Sequence, residues 1–322
     1  MRHVFIVNPA AGKKDSTEKL VAHVHALCKA AGMEYVLVRT EARGDATELT
    51  ARYVQDGVPT RFYACGWDGT LSEVVQAAAG FDHVAVTNIP KGTGNDFLKL
   101  FGPENRKRFN DISALAAGPQ AAFDLMDCNG VLGLDVICAG VDARIARDVH
   151  RYDAMPLVKG MGAYIMSLAV NILFKGISRP MRVTMGEERW NEPISILCIC
   201  NGRHYGGGFM PVGEAMPDDG VLDALLVPHV TRRTFLRLVG KYAKGQYARY
   251  PDLIRPYHGP GPILFEADEP ITLCVDGEIM ESRAFRVALS EKKVNFFYPD
   301  GLSWAKPQAV PQKSRRYIPE GR

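Results

Sequence analysis

The first third of the chain alternates short apolar runs with amphipathic ones. Val4-Phe5-Ile6-Val7 is continuously apolar, as expected of a strand buried on both faces of a sheet. Asp15 and Glu18 are spaced as a capping box, and Leu20, Val21, Val24, Leu27, Cys28 and Ala31 then follow a helical period that Gly32 ends. Tyr35 to Val38 predicts a second strand, and Asp45 with Glu48 caps a helix carrying Leu49, Tyr53 and Val54. Arg61 to Ala64 predicts a third strand, Thr70 with Glu73 a capped helix through Ala79, and Val84 to Ile89 a fourth strand. Strands alternating with helices predict a doubly wound, mostly parallel α/β sheet. Ligands of such sheets bind beyond the strand C-termini, where Asn8, Thr40, Gly66 and residues 91–94 fall.

After about residue 120 the pattern changes. Apolar and β-branched runs at Val131–Cys138, Met181–Met185, Ile194–Cys200, Val221–Val227, Ile271–Val275, Phe285–Leu289 and Val294–Phe297 are separated by Gly, Pro and Asp. They predict an antiparallel β-sandwich, interrupted by helices over Asp142–Tyr152, Ala163–Phe174 and Thr231–Ala243. The expected division is an α/β domain over 1–122 and a sandwich domain over 123–297, with about 298–322 packing back on the first. The tail from Ser303, with Pro307, Pro311 and Pro319, reads as loosely ordered.

A length of 322 residues suits two domains, and 47% hydrophobic with 23% charged content is that of a folded globular protein. A net charge of +3 does not argue for nucleic acid. The basic residues cluster locally: Arg106-Lys107-Arg108; Arg144, Arg147 and Arg151; Arg232, Arg233, Arg237, Lys241 and Lys244; and Arg315-Arg316. These are either solvated helix faces or a surface for an anionic membrane. The seven cysteines form no Cys-x-x-Cys pair, and several stand inside apolar runs. They read as reduced thiols of a cytoplasmic protein. The N-terminus enters a strand at once, so no signal peptide is expected. The longest apolar stretch, Met161–Phe174, is too short to span a bilayer, so membrane association would be peripheral.

Two glycine-rich turns carry the chemistry. Cys65-Gly66-Trp67-Asp68-Gly69-Thr70 and Pro90-Lys91-Gly92-Thr93-Gly94-Asn95-Asp96 each follow a strand-like run. Glycine lets backbone N–H groups approach an anion, and a loop feeding a helix N-terminus aims them at it. Their aspartates could reach a metal. Asn8-Pro9-Ala10-Ala11-Gly12 could present an amide and backbone N–H groups to a nucleotide, or serve turn geometry alone. Asp124, flanked by apolar residues, is a buried structural acceptor or a site residue. Asp218-Asp219-Gly220 could hold a hard cation through oxygen or form a β-turn. Asp276-Gly277-Glu278 is a hairpin signal or an acidic pair at a strand end.

These motifs, in this order from residue 4 to about 298, resemble the diacylglycerol kinase catalytic-domain family, in particular its bacterial lipid kinases. The resemblance rests on Asn8-Pro9 with Gly12, Thr40-Glu41, Gly66 with Asp68-Gly69-Thr70 and Glu73, and Pro90 with Gly92 to Phe97. It continues through Gly140 with Asp142-Ala143, Asn201, Gly206-Gly207-Gly208, Pro211, Ala215, Asp219-Gly220 with Leu222-Asp223, and Asp276-Gly277-Glu278. It implies an active site in an interdomain cleft and an ATP- and Mg²⁺-dependent lipid kinase making phosphatidic acid from diacylglycerol. Other acceptors, namely phosphatidylglycerol, a sphingoid base or NAD, stay open. ATP would lie against Asn8, Pro9, Ala10, Ala11, Gly12, Thr40, Gly66, Trp67, Asp68, Gly69, Thr70, Leu71, Ser72 and Thr93. Asp68, Asp96 and Asp124 match carboxylates that organise Mg²⁺ through water. Asp219, with the backbone oxygens of Met216 and Val221, matches a structural Mg²⁺ site. Asp276 and Glu278 match the pair that supplies the general base. The implied partners are a lipid and an anionic membrane surface, without nucleic acid and with room for a homodimer. Trp67 stands where the family usually has glycine. With φ above zero it would be strained and catalysis weakened, leaving a nucleotide- or lipid-binding protein; with φ negative the indole could stack on adenine or simply cover the site.

Overall fold

Four parallel strands carry the first unit, in the spatial order that brings β1 and β3 together. They are β1 (Arg2–Val7), β2 (Tyr35–Arg39), β3 (Thr60–Gly66) and β4 (Val84–Pro90), ordered β2-β1-β3-β4. Helices α1 (Lys14–Ala30), α2 (Asp45–Val54) and α3 (Asp68–Ala78) connect them. β1 and β4 are buried along their whole length, which is why they read as unbroken apolar runs. The computed structural model describes residues 1–12, 14–91, 94–153 and 161–304. It divides into a unit of Met1–Leu125 with the segment starting at Ser290, and a unit of Met126–Leu289.

Helix starts differ from the expected capping boxes. α3 begins at Asp68 with Trp67 as its N-cap, so Thr70 lies inside the helix. Glu73 instead accepts the N–H groups of Gly44 and Ala46 at 2.9 and 3.1 Å, joining α3 to the start of α2. Asp45 is the first residue of α2, not its cap, and its carboxylate accepts from Glu41 and Ala42 at 2.6 and 2.8 Å. α1 likewise starts at Lys14, ahead of Asp15.

Past β4, two 3-10 helices (Phe97–Phe101 and Pro103–Asn110) lead to α4 (Ile112–Ala117), capped by Asp111, whose carboxylate accepts the Ala114 N–H at 3.0 Å. The Arg61 guanidinium binds the carbonyls of Leu115, Ala116 and Gly118, each at 2.8 Å, and lies over the Phe297 ring. Strand β5 (Gln120–Cys128) follows. Phe97, Phe101, Phe123, Phe296 and Trp304 form an aromatic cluster, so the chain from Phe296 to Trp304 packs within the first unit.

The second unit is antiparallel, with strands β6 (Val131–Gly133), β7 (Val136–Gly140), β8 (Arg179–Met185), β9 (Glu188–Cys200), β10 (Leu222–Pro228), β11 (Arg255–Gly259), β12 (Ile263–Val275) and β13 (Glu278–Phe297). The expected Val131–Cys138 strand is two strands parted at Leu134 and Asp135. The two runs Phe285–Leu289 and Val294–Phe297 are one strand, β13, whose end pairs with β4 at Phe296. Helices α5 (Val141–Asp153), α6 (Met161–Leu173) and α7 (Arg232–Tyr242) complete the unit. Alternate residues of β7, β9 and β10 explain the arrangement. Ile137, Ala139, Leu197, Ile199, Leu222 and Leu226 face the sandwich core with Phe265 and Val287. Val136, Ile196, Cys198, Cys200 and Leu225 face a second core beneath the helices, with Ile145, Ile172 and Phe235. All seven cysteines are buried thiols, as their apolar contexts predicted. Among the described residues no helix is long and apolar enough to cross a membrane. The expected loose tail from Ser303 lies outside the described residues from 305 onward.

Gly140 ends β7 at φ 93, and a Cβ there would meet the Ser195 carbonyl oxygen at 2.3 Å. Both the left-handed backbone and the fixed β9 strand exclude a side chain. Gly140→Ala is expected to cost about 1–3 kcal/mol, seen as a lower midpoint in urea unfolding followed by circular dichroism.

Candidate functional site

Between β1 and β3 the strand order reverses: the chain leaves β1 for β2 on one side and crosses back to β3 on the other. This switch point is where an open α/β sheet leaves a crevice, and Asn8 and Gly66 flank it. The Asn8 N–H donates to Cys65 O at 3.0 Å, its side-chain amide to Thr70 Oγ1 at 3.1 Å, and its amide oxygen accepts the Ala10 N–H at 3.0 Å. Pro9, Ala10 and Gly12 are exposed in this turn, and Ala11 is buried beneath it. The Thr40 N–H donates to Val7 O at 3.0 Å, which anchors the end of β2 beside it. Gly66 must lack a Cβ, because one would meet Thr70 Oγ1 at 2.2 Å.

Asp68 joins the two glycine turns. One carboxylate oxygen accepts the Asn95 N–H and the other the Asp96 N–H, both at 2.7 Å. Asn95 holds φ 65 to present them, and a Cβ on Gly94 would come within 2.8 Å of the carboxylate. The Lys91 N–H donates to Gly66 O at 3.1 Å, a second tie between the turns. The Lys91 ammonium is held below its ordinary pKa by burial. Trp67 has φ −88 and is 46% exposed. That backbone is open to any residue, so the steric strain feared for this position is absent. Gly69 stands in the first turn of α3, while Thr70, Leu71 and Ser72 are buried in it. Thr93, the remaining expected nucleotide contact, lies outside the described residues, as does Gly92.

The other two carboxylates of this unit are paired with lysines that no sequence motif singled out. Asp96 forms an ion pair with Lys99, three residues on, and Asp124 pairs with Lys293 Nζ at 2.7 Å. The first has a spacing signal at i, i+3; the second joins distant parts of the chain and has none. Among the described residues no three His, Cys, Asp or Glu side chains are grouped to hold a metal directly.

In the second unit, Asp276 and Gly277 are the two turn residues between β12 and β13, at φ 48 and φ 94, with Val275 opposite Glu278. The Asp-Gly hairpin geometry is therefore real. The Asp276 carboxylate also accepts three backbone N–H groups, from Leu134 at 2.5 Å, Asp135 at 3.0 Å and Val136 at 2.8 Å. It thereby holds the break between β6 and β7. Burial lifts its pKa, and the three hydrogen bonds work against that rise. Glu278 opens β13, half-buried. Asp219 accepts the Val221 N–H at 3.1 Å, a turn formed on its own backbone. Burial, and then the Asp223 carboxylate, raises its pKa. Met216 is buried before this turn, and Asp223 is paired with His258 at 2.8 Å.

Beside the Asp276 hairpin, Ile279 and Tyr205 each pack against the cluster of Cys138, Ala143 and Cys274. There the Tyr205 hydroxyl donates to Asp142, with the Tyr242 hydroxyl 3.4 Å from it. Burial pushes Asp142 up to about 6, opposed by the tyrosine hydrogen bond. A carboxyl raised in the folded state holds its proton there while the unfolded chain has lost it. Stability from the neutral form is full below pH 4 and falls as pH rises to about 6. Asp142→Asn should flatten that fall by about 1–3 kcal/mol, because each tenfold change in proton affinity is worth about 1.4 kcal/mol. Urea unfolding between pH 4 and 7 measures it.

Comparisons with known proteins agree with this geometry. The profile of the "Diacylglycerol kinase catalytic domain" matches residues 2–128, and that of the "YegS C-terminal NAD kinase beta sandwich-like domain" matches residues 135–298. A "Probable lipid kinase YegS-like" of Pseudomonas aeruginosa is 28% identical over 303 residues, covering 90% of this chain and 93% of its own. One of the same name from Pseudomonas fluorescens is 31% identical over 226 residues, covering 67% and 71%. A crystal structure of a diacylglycerol kinase from Bacillus anthracis str. Sterne shares the fold, with TM-score 0.66 and 19% identity over 94% of this chain and 98% of that one. The switch-point crevice, the coupled glycine turns and the sandwich unit thus stand in a chain that belongs to the YegS-like lipid kinase family, with a diacylglycerol kinase catalytic domain followed by a YegS C-terminal domain.

Proposed function

We propose that this chain transfers the γ-phosphoryl group of ATP to the hydroxyl of a membrane lipid, with diacylglycerol as acceptor and phosphatidic acid as product. The observation that supports this reading is Asp68 accepting the N–H groups of both Asn95 and Asp96, which ties the two glycine turns together. Asn8, Gly12, Thr40, Gly66 to Ser72 and Thr93 would line the nucleotide. Trp67, exposed at the head of α3, offers the adenine a face.

Asp68, Asp96 and Asp124 already take N–H or lysine partners. A carboxylate has about four acceptor positions, so the remaining lone pairs suit the water shell of Mg²⁺ better than direct ligation. Asp219, with the carbonyls of Met216 and Val221, is an all-oxygen donor set of the kind Mg²⁺ takes, and the neighbouring Asp223 favours a cation there. When bound, Mg²⁺ would neutralise charge on the transferring phosphoryl group.

The general base is Glu278. Asp276 has its carboxylate occupied by three backbone N–H groups and orders the loop; Glu278, half-buried at the start of β13, is the member of the pair to which this reading gives the alcohol proton. Glu278→Gln should lower kcat by about 10²–10⁴-fold with ATP affinity kept, read by radiolabelled phosphate transfer to dispersed diacylglycerol. Asp276→Asn replaces an acceptor with a donor against backbone N–H groups, and should chiefly lower the unfolding midpoint. Equal kcat for wild type and Glu278→Gln would overturn the assignment. Trp67→Ala should weaken ATP binding about tenfold, in line with base–aromatic stacking, by calorimetric titration; unchanged affinity would remove the indole from the site.

A further inference from the structure

Helix α6 buries polar groups beside its apolar contacts: Ser167 and Asn171 are fully buried next to Ile172, which joins the second core. Ser167 Oγ donates to Ile145 O at 2.8 Å, and Asn171 Nδ2 donates to Asp148 Oδ2 at 2.8 Å. Its outer stripe is apolar. Met166 is 40% exposed, Leu173 53% and the following Phe174 79%, with half-buried Val170 between them. Positions i, i+4, i+7 and i+8 share one face. Phe174 is held there, because its N–H and that of Lys175 donate to Val170 O at 3.0 and 3.3 Å.

Helix α7 starts beside the end of α6. Arg232 Nε donates to Ile172 O at 2.7 Å, which fastens the head of α7 to the end of α6. Phe235 is buried, while Leu236 is 55% exposed between exposed Arg233 and Arg237, with Lys241 one turn further on. Of the eight large hydrophobic side chains exposed among the described residues, Met166, Leu173, Phe174 and Leu236 make half. Along the two chain segments that carry them the charge has one sign. No acidic residue occurs between Asp153 and Glu187 or between Asp223 and Asp252, although the chain has 36 acidic against 39 basic residues.

We propose that Leu173, Phe174 and Leu236, collared by Arg233, Arg237 and Lys241, dock the protein on an anionic lipid bilayer. Apolar tips entering the acyl boundary within a ring of cations bind by buried area together with attraction to anionic headgroups. A protein partner would need carboxylates set among apolar pockets; a bilayer supplies both features without registry. The inference deepens the lipid-kinase reading by naming the surface that meets the substrate phase, and its test requires no turnover.

The full chain, without ATP, is sedimented with vesicles of phosphatidylcholine alone or mixed with phosphatidylglycerol, over a series of NaCl concentrations. The expected result is preference for the anionic vesicles that weakens with salt. Leu173→Ser with Phe174→Ser should lower partitioning at least about tenfold. Arg233→Glu with Arg237→Glu should remove the salt dependence, with circular dichroism matching wild type in both variants. Wild type ignoring anionic vesicles, or both variants binding as wild type does, overturns the proposal. So does unchanged vesicle binding together with a loss of self-association in sedimentation velocity, which would make the face an interface between copies. Both variants should phosphorylate a short-chain diacylglycerol dispersed in solution at the wild-type rate. Vesicle binding by a wild type that phosphorylates no lipid would overturn the kinase reading and support the docking face.

Discussion

The nucleotide end of this protein depends on one carboxylate. Asp68 leaves β3 at the start of α3 and spends both oxygens on consecutive N–H groups of the loop after β4. Loops tend to move independently, and ordering a residue's backbone costs about 1–2 kcal/mol. Charge-assisted hydrogen bonds from a group already fixed on a helix offset that cost. The left-handed Asn95 and the bare Gly94 follow from the same contact: one turns the N–H groups inward and the other makes room for the oxygen.

The second unit repeats the device in another setting. Asp276 occupies a left-handed turn position and accepts three N–H groups from the break between β6 and β7. In both units an aspartate orders a neighbouring loop by accepting its backbone N–H groups. Such residues look catalytic in a linear motif because their type and spacing cannot show whether the carboxylate faces the backbone or the solvent.

The helices of the second unit bury polar groups as well as apolar ones. Ser167, Asn171 and Asp148 form a hydrogen-bonded cluster under α6, and Asp142 of α5 pairs with Tyr205. Buried polar groups are tolerated when each finds a partner.

Periodicity and turn chemistry in the sequence were enough for the four parallel strands, the three connecting helices, the antiparallel second half and the order of the family motifs, because these follow from local sterics and from which faces must be buried. The capping boxes at Thr70 and Asp45 misread the helix starts because a tertiary partner, Glu73 reaching to Gly44 and Ala46, satisfied donors that local rules assign to a neighbour. The strain suspected at Trp67 depended on a φ angle that no residue type specifies when the turn can be entered in two ways. The pairing of Asp124 with Lys293, the grip of Asp276 on residues 134–136 and the outward apolar stripe of α6 were decided only by the tertiary structure. Each joins or exposes groups whose separation along the chain carries no signal, and only packing brings them to hydrogen-bonding range or leaves them in water.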